Sequence, residues 1–468
     1  MKKKVPEKII KLIPKEVWDV FQRFTQEGYE IYLVGAGVRN LLQGKIPVDC
    51  DFTTNAPPEV IQSLFEDSFY DNQFGTVGIA LETKRGEEVY EITTYRTERG
   101  YSDKRRPDVV KWGQQLEEDL QRRDFSWNAI VIGPIKKRGK KKETSLEMID
   151  LFGGLNDLKK KIVKAVGDPE ERFAEDALRM MRAVRFAAQL GFKIEPKTLA
   201  AIKKNAPFIK KISQERIRDE LFKILASEHP AEGYLILRKT GLAKEILPEV
   251  EKMFGVEQKS PGRHHLDDVG THAVKSLRAS RTSDPIVNLA ILLHDVGKPV
   301  VAGKDEKGTI TFYNHEVVGA SIARNIARRL RFSKKDEEKL VTLVRWHQFS
   351  VDERQTDKAI RRFIKRVGKE NLTEILELRR ADRVGGGARE TSWRLERFKK
   401  KLVEVQKQPF SVTDLKVNGN DVMKTLGIRP GPKVGQILNQ LFEEVVEDKK
   451  RNKRDYLLKR IKEIGKKS

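Results

Sequence analysis

Two aspartates separated by one residue could hold a divalent metal ion. Asp49 and Asp51 flank Cys50 within a segment, 48–53, whose pattern predicts a strand. Alternate residues of a strand point to the same face, so both carboxylates would project together while Cys50 faces the core. Such carboxylates repel each other unless a cation lies between them, and Mg²⁺ prefers one or two carboxylates together with phosphate oxygens. The pair therefore indicates a magnesium site for a nucleotide phosphate, although such a pair alone is more often a solvated turn.

A glycine-containing turn lies directly upstream of these aspartates. Gly35, Ala36 and Gly37 follow a buried strand that the apolar run predicts over 31–34. Such a turn lets the backbone approach phosphates closely. It is not the dinucleotide-binding fingerprint, because Asn40 stands where the third glycine would be.

A third carboxylate is available at Glu91. In a strand predicted over 88–95, alternation places Glu91 on the face opposite Tyr90 and Ile92. Two interpretations fit this position equally well, either a further metal ligand beside the two aspartates or the solvent face of the strand.

A row of charged residues at every third position could read a nucleotide base. The segment 171–190 is predicted to be a helix and carries Asp176, Arg179, Arg182 and Arg185. A carboxylate acceptor and a forked guanidinium donor one turn apart can bind the edge of a base without a template. The remaining arginines can hold a triphosphate. The alternative is an ordinary ion pair between residues i and i+3 on an exposed helix, which is the commoner explanation of such spacing.

The elements that position these residues change character along the chain. Strand patterns recur in the first ~150 residues, together with an amphipathic helix over 15–28, and predict a small α/β domain. From Asp168 onward helical patterns dominate, and a Pro-Gly-Pro turn at 430–432 precedes a helix from about Lys433. The sequence therefore predicts an α+β protein, with a mixed sheet at the N-terminus followed by helical domains.

The charge of the chain favours a polyanionic partner. Its 468 residues include 93 Lys and Arg against 69 Asp and Glu, a formal net charge of +24. Each phosphate that is neutralised by Lys or Arg releases condensed counterions, so such a surface favours nucleic acid. A heat-adapted surface is the alternative, but balanced ion-pair networks would not need this excess. The run 136–142 contains six basic residues and is predicted to be a solvated hairpin loop.

Length and composition exclude several classes of protein. The chain is too long for one hydrophobic core, and three or four domains are expected. No apolar stretch is long enough to span a bilayer, and the basic N-terminus lacks the apolar core of a secretory signal. The single cysteine, Cys50, excludes an internal disulfide and a cysteine-based zinc site. We therefore expect a cytoplasmic protein with no membrane association.

Six motifs, in order, resemble those of class II tRNA nucleotidyltransferases, the family of CCA-adding enzymes and their bacterial poly(A) polymerase relatives. The resemblance covers essentially the whole chain, and the motifs in register are highly specific. They are Val-Gly-Ala-Gly-Val-Arg-Asn (34–40), Val-Asp-Cys-Asp-Phe (48–52), Glu-Ile-Thr-Thr-Tyr-Arg (91–96), Arg-Arg-Asp-Phe-Ser-Trp-Asn-Ala (122–129), Glu-Asp-Ala-Leu-Arg-Met-Met-Arg-Ala-Val-Arg-Phe (175–186) and Glu-Arg-Ile-Arg-Asp-Glu-Leu (215–221).

The resemblance implies a role for the first group of residues at a catalytic palm. Asp49 and Asp51 would bind the catalytic magnesium ions. Arg39, Arg123 and the Gly35–Gly37 turn would contact the phosphates of the nucleotide. The chain departs from the family pattern at this turn, because Ala36 replaces the usual second glycine and Asn40 the usual terminal aspartate. Neither change removes an expected metal ligand.

The second group of residues would select the nucleotide, again by resemblance. Asp176 and Arg179 would read the Watson–Crick edge of the incoming CTP or ATP, with Arg182 and Arg185 nearby. The segment 96–107 matches a flexible loop of the family that is thought to help the switch from C to A addition. Its presence argues against an enzyme that adds only C.

A second set of ligands resembles an HD domain, a helical metal-dependent phosphohydrolase fold. Six of the seven histidines fall between 264 and 347. Imidazoles with carboxylates suit a transition metal better than magnesium, and a pair of such ions activates water for attack on a phosphate ester. Two alternatives stand, that some histidines such as His264 and His265 only cap or pack, or that the domain binds metal and RNA without hydrolysis. The matching residues are His272, His294, Asp295 and Asp382, with His315 and His347 in the places of the additional ligands of dinuclear members.

The C-terminal part completes the resemblance. Residues 418–435 are similar to the tail of HD-containing members of the family, whose helical tails are thought to grip the elbow of tRNA. A helix-turn that packs on the body is a compatible structural explanation. The expected domains are a palm over 1–153, a helical neck over 154–264, an HD domain over 265–390 and a basic tail over 391–468.

The resemblance predicts addition of C, C and A to the 3′ end of tRNA from CTP and ATP, without a nucleic-acid template. Within the same class, the alternatives are an enzyme that adds only A and a poly(A) polymerase, which share the base-reading motif. From another class, the chain could be an HD phosphohydrolase with a degenerate, RNA-binding palm. A non-catalytic RNA-binding protein would explain the charge but not two complete ligand sets.

Overall fold

The computed structural model describes the chain in two compact units. The first unit comprises Met1–Glu251 and two short segments from later in the chain, Ser283–Pro285 and Arg329–Phe332. The second unit comprises Lys252–Thr282, Ile286–Arg328 and Ser333–Ser468. The described residues are 1–72, 75–83, 85–99, 109–113, 115–135, 145–258, 267–352, 355–406 and 412–467.

The first unit begins with an eight-stranded mixed sheet. Its strand order is β1-β10-β9-β2-β3-β6-β5-β4, in which β3 and β6 are parallel and the other pairs are antiparallel; β7 and β8 form a separate antiparallel pair. The strands are β1 (Lys2–Lys4), β2 (Ile31–Val34), β3 (Asp51–Thr54), β4 (Ser68–Asn72), β5 (Thr76–Thr83), β6 (Gly86–Thr94), β7 (Arg96–Arg99), β8 (Val109–Trp112), β9 (Ile130–Pro134) and β10 (Leu146–Asp150).

Short helices cover this sheet, and their apolar faces are visible in the sequence. In α2 (Lys15–Gln26), Val17, Val20, Phe21 and Phe24 recur with helical spacing and are all buried. The remaining helices of the sheet region are α1 (Glu7–Ile10), α3 (Ala36–Leu42), α4 (Pro58–Leu64) and α5 (Leu116–Gln121).

Helices form the rest of the first unit, beside a two-residue parallel pair of strands, β11 (Ile162–Val163) and β12 (Lys193–Ile194). Gly191, at a positive φ of 64°, ends the long helix of this region as a left-handed cap. The helices are α6 (Gly154–Lys159), α7 (Pro169–Glu175), α8 (Leu178–Leu190), α9 (Pro196–Asn205), α10 (Gln214–Leu225), α11 (Pro230–Thr240), α12 (Leu242–Ile246) and α13 (Pro248–Glu251).

In its described residues, the second unit is helical apart from a small hairpin, β13 (Gly303–Lys304) and β14 (Ile310–Thr311). A separate apolar cluster, with Leu441 and Leu457 at its centre, joins the last three helices. The helices are α14 (Val269–Arg278), α15 (Pro285–Leu293), α16 (Lys298–Val301), α17 (His315–Arg329), α18 (Lys334–Trp346), α19 (Asp357–Val367), α20 (Leu372–Gly385), α21 (Trp393–Gln406), α22 (Gly419–Leu426), α23 (Pro432–Glu447) and α24 (Arg454–Lys467).

The predicted α+β fold, with a mixed sheet followed by helices, is confirmed. Two local predictions were wrong. The strand predicted over 48–53 begins only at Asp51, and the helix predicted over 171–190 is interrupted at Asp176. Among the described residues, no helix is both long and apolar enough to cross a membrane.

Candidate active site and metal centre

The glycine turn and the aspartates lie against each other in the sheet. Gly35, at φ 68°, ends β2, and a Cβ atom there would lie 3.3 Å from Oδ2 of Asp51. A Cβ atom at Gly37 would lie 3.1 Å from the backbone oxygen of Asp49. Both glycines are therefore explained by close approach to the acidic segment, and Ala36 begins α3 between them.

Three carboxylates gather at this edge of the sheet. Asp51 is the first residue of β3 and lies opposite Glu91 of β6 in the parallel register. Asp49 lies in a bend that precedes the strand. Both Asp49 and Glu91 are exposed, whereas Cys50 is buried as predicted. The sheet thus brings Asp49, Asp51 and Glu91 together, although Asp49 is placed by a bend rather than by strand alternation.

The electrostatics of this cluster suit a cation. Burial, together with the neighbouring carboxylates of Asp49 and Glu91, raises the pKa of Asp51 to about 7, against the opposing charge of Arg123. An acid that is hard to ionise because other acids surround it is stabilised by a divalent ion. The carboxylate cluster therefore fits the magnesium site that was predicted.

Two arginines that were predicted to contact phosphates flank the carboxylate cluster. The Arg39 guanidinium lies 5.5 Å from the centre of the Trp127 ring and 5.7 Å from that of Phe186. Arg123 contacts Asp119, with its Nη2 3.1 Å from Oδ2 of that buried carboxylate. Both guanidiniums are thus held in place by neighbours.

Asp176 does not belong to one continuous helix with the arginines that follow it. It ends α7 in an extended conformation, and its Oδ1 accepts a hydrogen bond of 2.9 Å from the backbone N–H of Leu178 at the start of α8. Aspartate competes well for the free amides at the start of a helix, which explains the break. Its Oδ2 accepts a hydrogen bond of 3.0 Å from Arg216 of α10.

Arg179 is fixed by three contacts. Its Nη1 donates to Oε2 of Glu175 at 2.5 Å and to the backbone oxygen of Arg172 at 3.2 Å. Its Nη2 donates to the backbone oxygen of Arg122 at 2.9 Å. The last bond ties the helical region to the Arg-Arg-Asp motif of the sheet region.

The other two arginines of the row are paired with carboxylates. Arg182 contacts Oδ2 of Asp124 with Nε at 2.8 Å and Nη2 at 2.6 Å. Arg185 is buried and donates to Oε1 of Glu220 in α10 at 3.0 Å. The row of Asp176, Arg179, Arg182 and Arg185 is therefore built into the first unit rather than lying on a freely solvated helix face.

The second unit brings all six predicted HD ligands into two groups of three. His272, His294 and Asp382 form one group, and Asp295, His315 and His347 the other, with the ligand atoms of each group within 4.8 Å of one another. The ligands come from separate helices. They are α14 for His272, the end of α15 for His294 and Asp295, the start of α17 for His315, the end of α18 for His347 and α20 for Asp382.

Asp295 lies between the two groups. Its Oδ2 is 3.2 Å from Nε2 of His294, and its Oδ1 is 3.4 Å from Nε2 of His315. Within the groups, Nε2 of His272 lies 3.1 Å from Oδ1 of Asp382, and the Nε2 atoms of His315 and His347 are 3.3 Å apart. These six residues would hold divalent metal ions, one group of three for each ion.

Three of the histidines are oriented by the same kind of hydrogen bond to a backbone carbonyl. Nδ1 of each donates to the carbonyl oxygen three residues earlier, at 2.7 Å for His294, 2.9 Å for His315 and 2.8 Å for His347. Because a carbonyl can only accept, Nδ1 carries a proton, and Nε2 is the ring nitrogen that faces the other ligands. Outer hydrogen bonds of this kind orient histidine ligands for metal.

The protonation of this centre is strongly perturbed. Burial lowers the pKa of His294, but Asp295 and Asp382 outweigh it and raise the pKa to about 9. Burial, together with the charge of His294, lowers the pKa of His347 to about 3. At neutral pH His294 is therefore an imidazolium and His347 a neutral imidazole, and a metal ion would replace one proton of His294.

Comparison with known proteins places the whole chain in one family. The Poly A polymerase head domain family matches residues 31–164, and the tRNA nucleotidyltransferase domain 2 family matches residues 309–461. The CCA-adding enzyme of Limosilactobacillus reuteri is 33% identical over 456 residues, which cover 96% of this chain and 96% of that enzyme. The chain belongs to the CCA-adding enzyme family of nucleotidyltransferases.

Two further relatives agree with this assignment. The CCA-adding enzyme of Lactobacillus helveticus is 45% identical over 244 residues, which cover 52% of this chain and 56% of that enzyme. The crystal structure of the Bacillus stearothermophilus CCA-adding enzyme in complex with CTP aligns over 99% of each chain, with a TM-score of 0.66 and 25% identity.

Sequence reasoning on this member of the family missed the residues that hold the predicted ones in place. Asp119 is fully buried and binds Arg122 and Arg123, which lower its pKa to about 2 although burial alone would raise it. Asp124 and Glu220 were inside quoted motifs, but their pairing with arginines of α8 is not visible in the chain order. Four predicted features lie outside the described residues, namely most of the 96–107 loop, the basic run 136–142, His264 and His265.

Proposed function

We propose that the chain adds C, C and A to the 3′ end of tRNA from CTP and ATP, without a nucleic-acid template. The observation that carries the proposal is the convergence of Asp49, Asp51 and Glu91 against the Gly35 turn, in a chain whose full length matches CCA-adding enzymes. A surface with a net charge of +24 suits the tRNA partner.

Asp49 and Asp51 would hold magnesium, with Glu91 as a third carboxylate. The donor set fits, because burial and the carboxylates of Asp49 and Glu91 raise the pKa of Asp51, and a cation among the three would relieve this. When bound, magnesium supplies Lewis-acid activation of the 3′-hydroxyl and neutralises charge on the leaving pyrophosphate. The Gly35 turn leaves room for phosphate beside Asp51, since a side chain there would crowd the carboxylate.

Arg39 and Arg123 would contact the triphosphate. Their guanidiniums are held near the carboxylates by the Trp127 and Phe186 rings and by Asp119, respectively. A preorganised guanidinium stabilises charge that develops on a phosphate without reorganising during the reaction.

Asp176 and Arg179 would read the base. Both side chains are fixed before any nucleotide binds. Arg216 holds Asp176, and Glu175 together with two backbone carbonyl oxygens holds Arg179. Arg182 and Arg185 would support this pair through their ion pairs with Asp124 and Glu220 rather than by binding phosphate freely. This is a refinement of the roles that the sequence suggested for them.

The product pattern tests this proposal. Labelled CTP and ATP, alone and together, are incubated with tRNA transcripts that end before CCA, after C and after CC. We expect ordered addition of C, C and A that then stops. Addition of A to the CC-ended transcript alone would identify an A-adding enzyme, open-ended tailing a poly(A) polymerase, and no addition would overturn the proposal and leave the palm as an RNA-binding module.

We also propose a second activity, hydrolysis of a phosphate ester at the HD centre. The observation that favours it is the pair of ligand groups joined by Asp295, with four histidines and two carboxylates. This donor set suits divalent transition metals. When bound, a pair of such ions supplies a nucleophile derived from water and neutralises charge on the phosphate.

A double variant, His294→Ala with Asp295→Ala, tests the second activity. We expect loss of metal-dependent hydrolysis of p-nitrophenyl phosphate while CCA addition continues. Unchanged hydrolysis in the double variant, or none in the metal-loaded wild type, would contradict it.

The domain limits given above, 1–153, 154–264, 265–390 and 391–468, remain proposals for this organisation.

A further inference from the structure

A buried lysine lies beside the HD centre and is not one of its ligands. Nζ of Lys298 is 2.7 Å from Oδ2 of Asp295, the carboxylate that lies between the two ligand groups. Lys298 is only 8% exposed, and its ammonium also lies 5.3 Å from the centre of the Phe312 ring. A charged side chain is rarely buried to this extent without a functional or structural reason.

Gln258 completes this arrangement. Its Oε1 accepts a hydrogen bond of 2.8 Å from Nζ of Lys298, and the residue is 2% exposed. The ammonium can only donate, so it fixes the orientation of the amide, with oxygen toward Lys298 and nitrogen away from it. Nε2 of Gln258 is buried and has no acceptor within the described part of the chain.

The donors that remain can be counted. An ammonium carries three N–H groups, and those of Lys298 meet Asp295 and Gln258, which leaves one. The amide nitrogen of Gln258 contributes two more. A buried donor without an acceptor costs free energy, and native structures rarely leave one unexplained. Donors clustered around a positive charge call for an anionic oxygen.

We propose that Lys298 and Gln258 form a phosphate subsite that binds a non-bridging oxygen of the HD substrate beside the metal ligands. This inference rests on the proposed phosphoesterase activity and deepens it, because it assigns substrate binding to two residues outside the ligand set. The substrate class is a phosphate ester with at least one anionic oxygen. Inorganic phosphate, the product of a monoester, shares this chemistry and is the direct probe.

Calorimetric titration of the manganese-loaded full-length chain with inorganic phosphate tests the subsite without relying on turnover. The His294→Ala, Asp295→Ala variant gives the phosphate that binds elsewhere, including at the palm. The binding that remains after this background is subtracted belongs to the HD centre. We expect Lys298→Gln and Gln258→Leu each to weaken the affinity of that binding roughly tenfold or more, since each removes donors to an anion. Lys307→Gln, on an exposed turn of the same unit, is the matched control and should bind phosphate as the wild type does.

Metal content and phosphate monoester kinetics separate the possible failures. We expect both subsite variants to retain manganese, and the KM for p-nitrophenyl phosphate to rise more than kcat falls. Loss of manganese in Lys298→Gln would mean that the lysine only supports Asp295, and unchanged phosphate affinity in both variants would overturn the subsite while leaving the metal centre intact. If the wild type holds no manganese, the phosphoesterase proposal fails, and equal phosphate affinity of the metal-free wild type and Lys298→Gln would overturn the subsite as well.

Discussion

The two clusters of candidate metal ligands in this chain differ in how far they are exposed to solvent. At the palm, Asp49 and Glu91 are exposed and Asp51 is half-buried at the start of a strand. At the HD centre, His272, His294, Asp295, His315 and His347 are all buried, and three of these histidines are oriented by backbone carbonyls. One cluster has two carboxylates exposed to solvent, and the other is mostly buried among helices.

From this difference we infer two kinds of metal binding, should both clusters hold metal as proposed. An exposed set of carboxylates holds magnesium weakly until a nucleotide adds its phosphate oxygens. A buried set of imidazoles and carboxylates, already oriented, retains a transition metal through purification. The palm ion would therefore exchange with every nucleotide, while the HD ions would be permanent parts of the protein.

The largest expected effect is the loss of nucleotide addition when the two palm aspartates are removed. The double variant Asp49→Ala, Asp51→Ala should lose nucleotide addition by roughly a thousandfold or more, because several kcal/mol of transition-state stabilisation disappear. The HD phosphoesterase rate in the same preparation should not change. Single-turnover addition to a tRNA transcript measures the first effect, and a loss of less than about tenfold would contradict the assignment of these ligands.

A smaller effect tests the fixed base-reading pair. Arg216→Gln removes a charged hydrogen bond from Oδ2 of Asp176, so the carboxylate loses its alignment. We expect kcat/KM for CTP to fall roughly 10-fold to 100-fold, and discrimination against UTP to fall with it. Arg218→Gln, on the same helix and paired with Asp219, is the control. A uniform loss for CTP and UTP, with discrimination intact, would show that Arg216 supports only the fold.

The smallest effect is a pH dependence at the palm. Since the pKa of Asp51 is raised to about 7, the carboxylate is protonated below that pH and must release the proton to bind a cation. Affinity for manganese should therefore rise about tenfold per unit as pH increases toward 7, and level off above it. Paramagnetic resonance in the His294→Ala, Asp295→Ala background isolates the palm. An affinity that stays constant from pH 5.5 to 8 would contradict the shifted pKa.

Sequence reasoning proposed the candidate ligands of both clusters but not the residues that hold them in place. The paired aspartates and the histidines belong to short motifs, so their residue types and spacing carried the prediction. Asp119 lies only four residues from Arg123, but Asp124, Glu220 and Arg216 come from other elements, 58, 35 and 40 residues from the groups they bind. Pairing at such separations depends on the packing of helices, which chain order alone does not reveal.

The local errors have a common physical cause. The segments 48–53 and 171–190 were read as regular elements because their apolar spacing was continuous. In both, an aspartate marks the boundary, since Asp51 starts β3 after a bend and Asp176 accepts a hydrogen bond from the first backbone amide of α8. An aspartate side chain competes with the backbone for hydrogen bonds, which interrupts the helix at Asp176.

The most direct test of this two-centre account is the metal content of the purified, extensively dialysed chain. Elemental analysis should find transition metal in the wild type, corresponding to the two ligand groups of the HD centre. The Asp49→Ala, Asp51→Ala variant should contain the same amount, and the His294→Ala, Asp295→Ala variant almost none. Equal metal in all three proteins, or metal that disappears with the palm aspartates instead, would contradict the account.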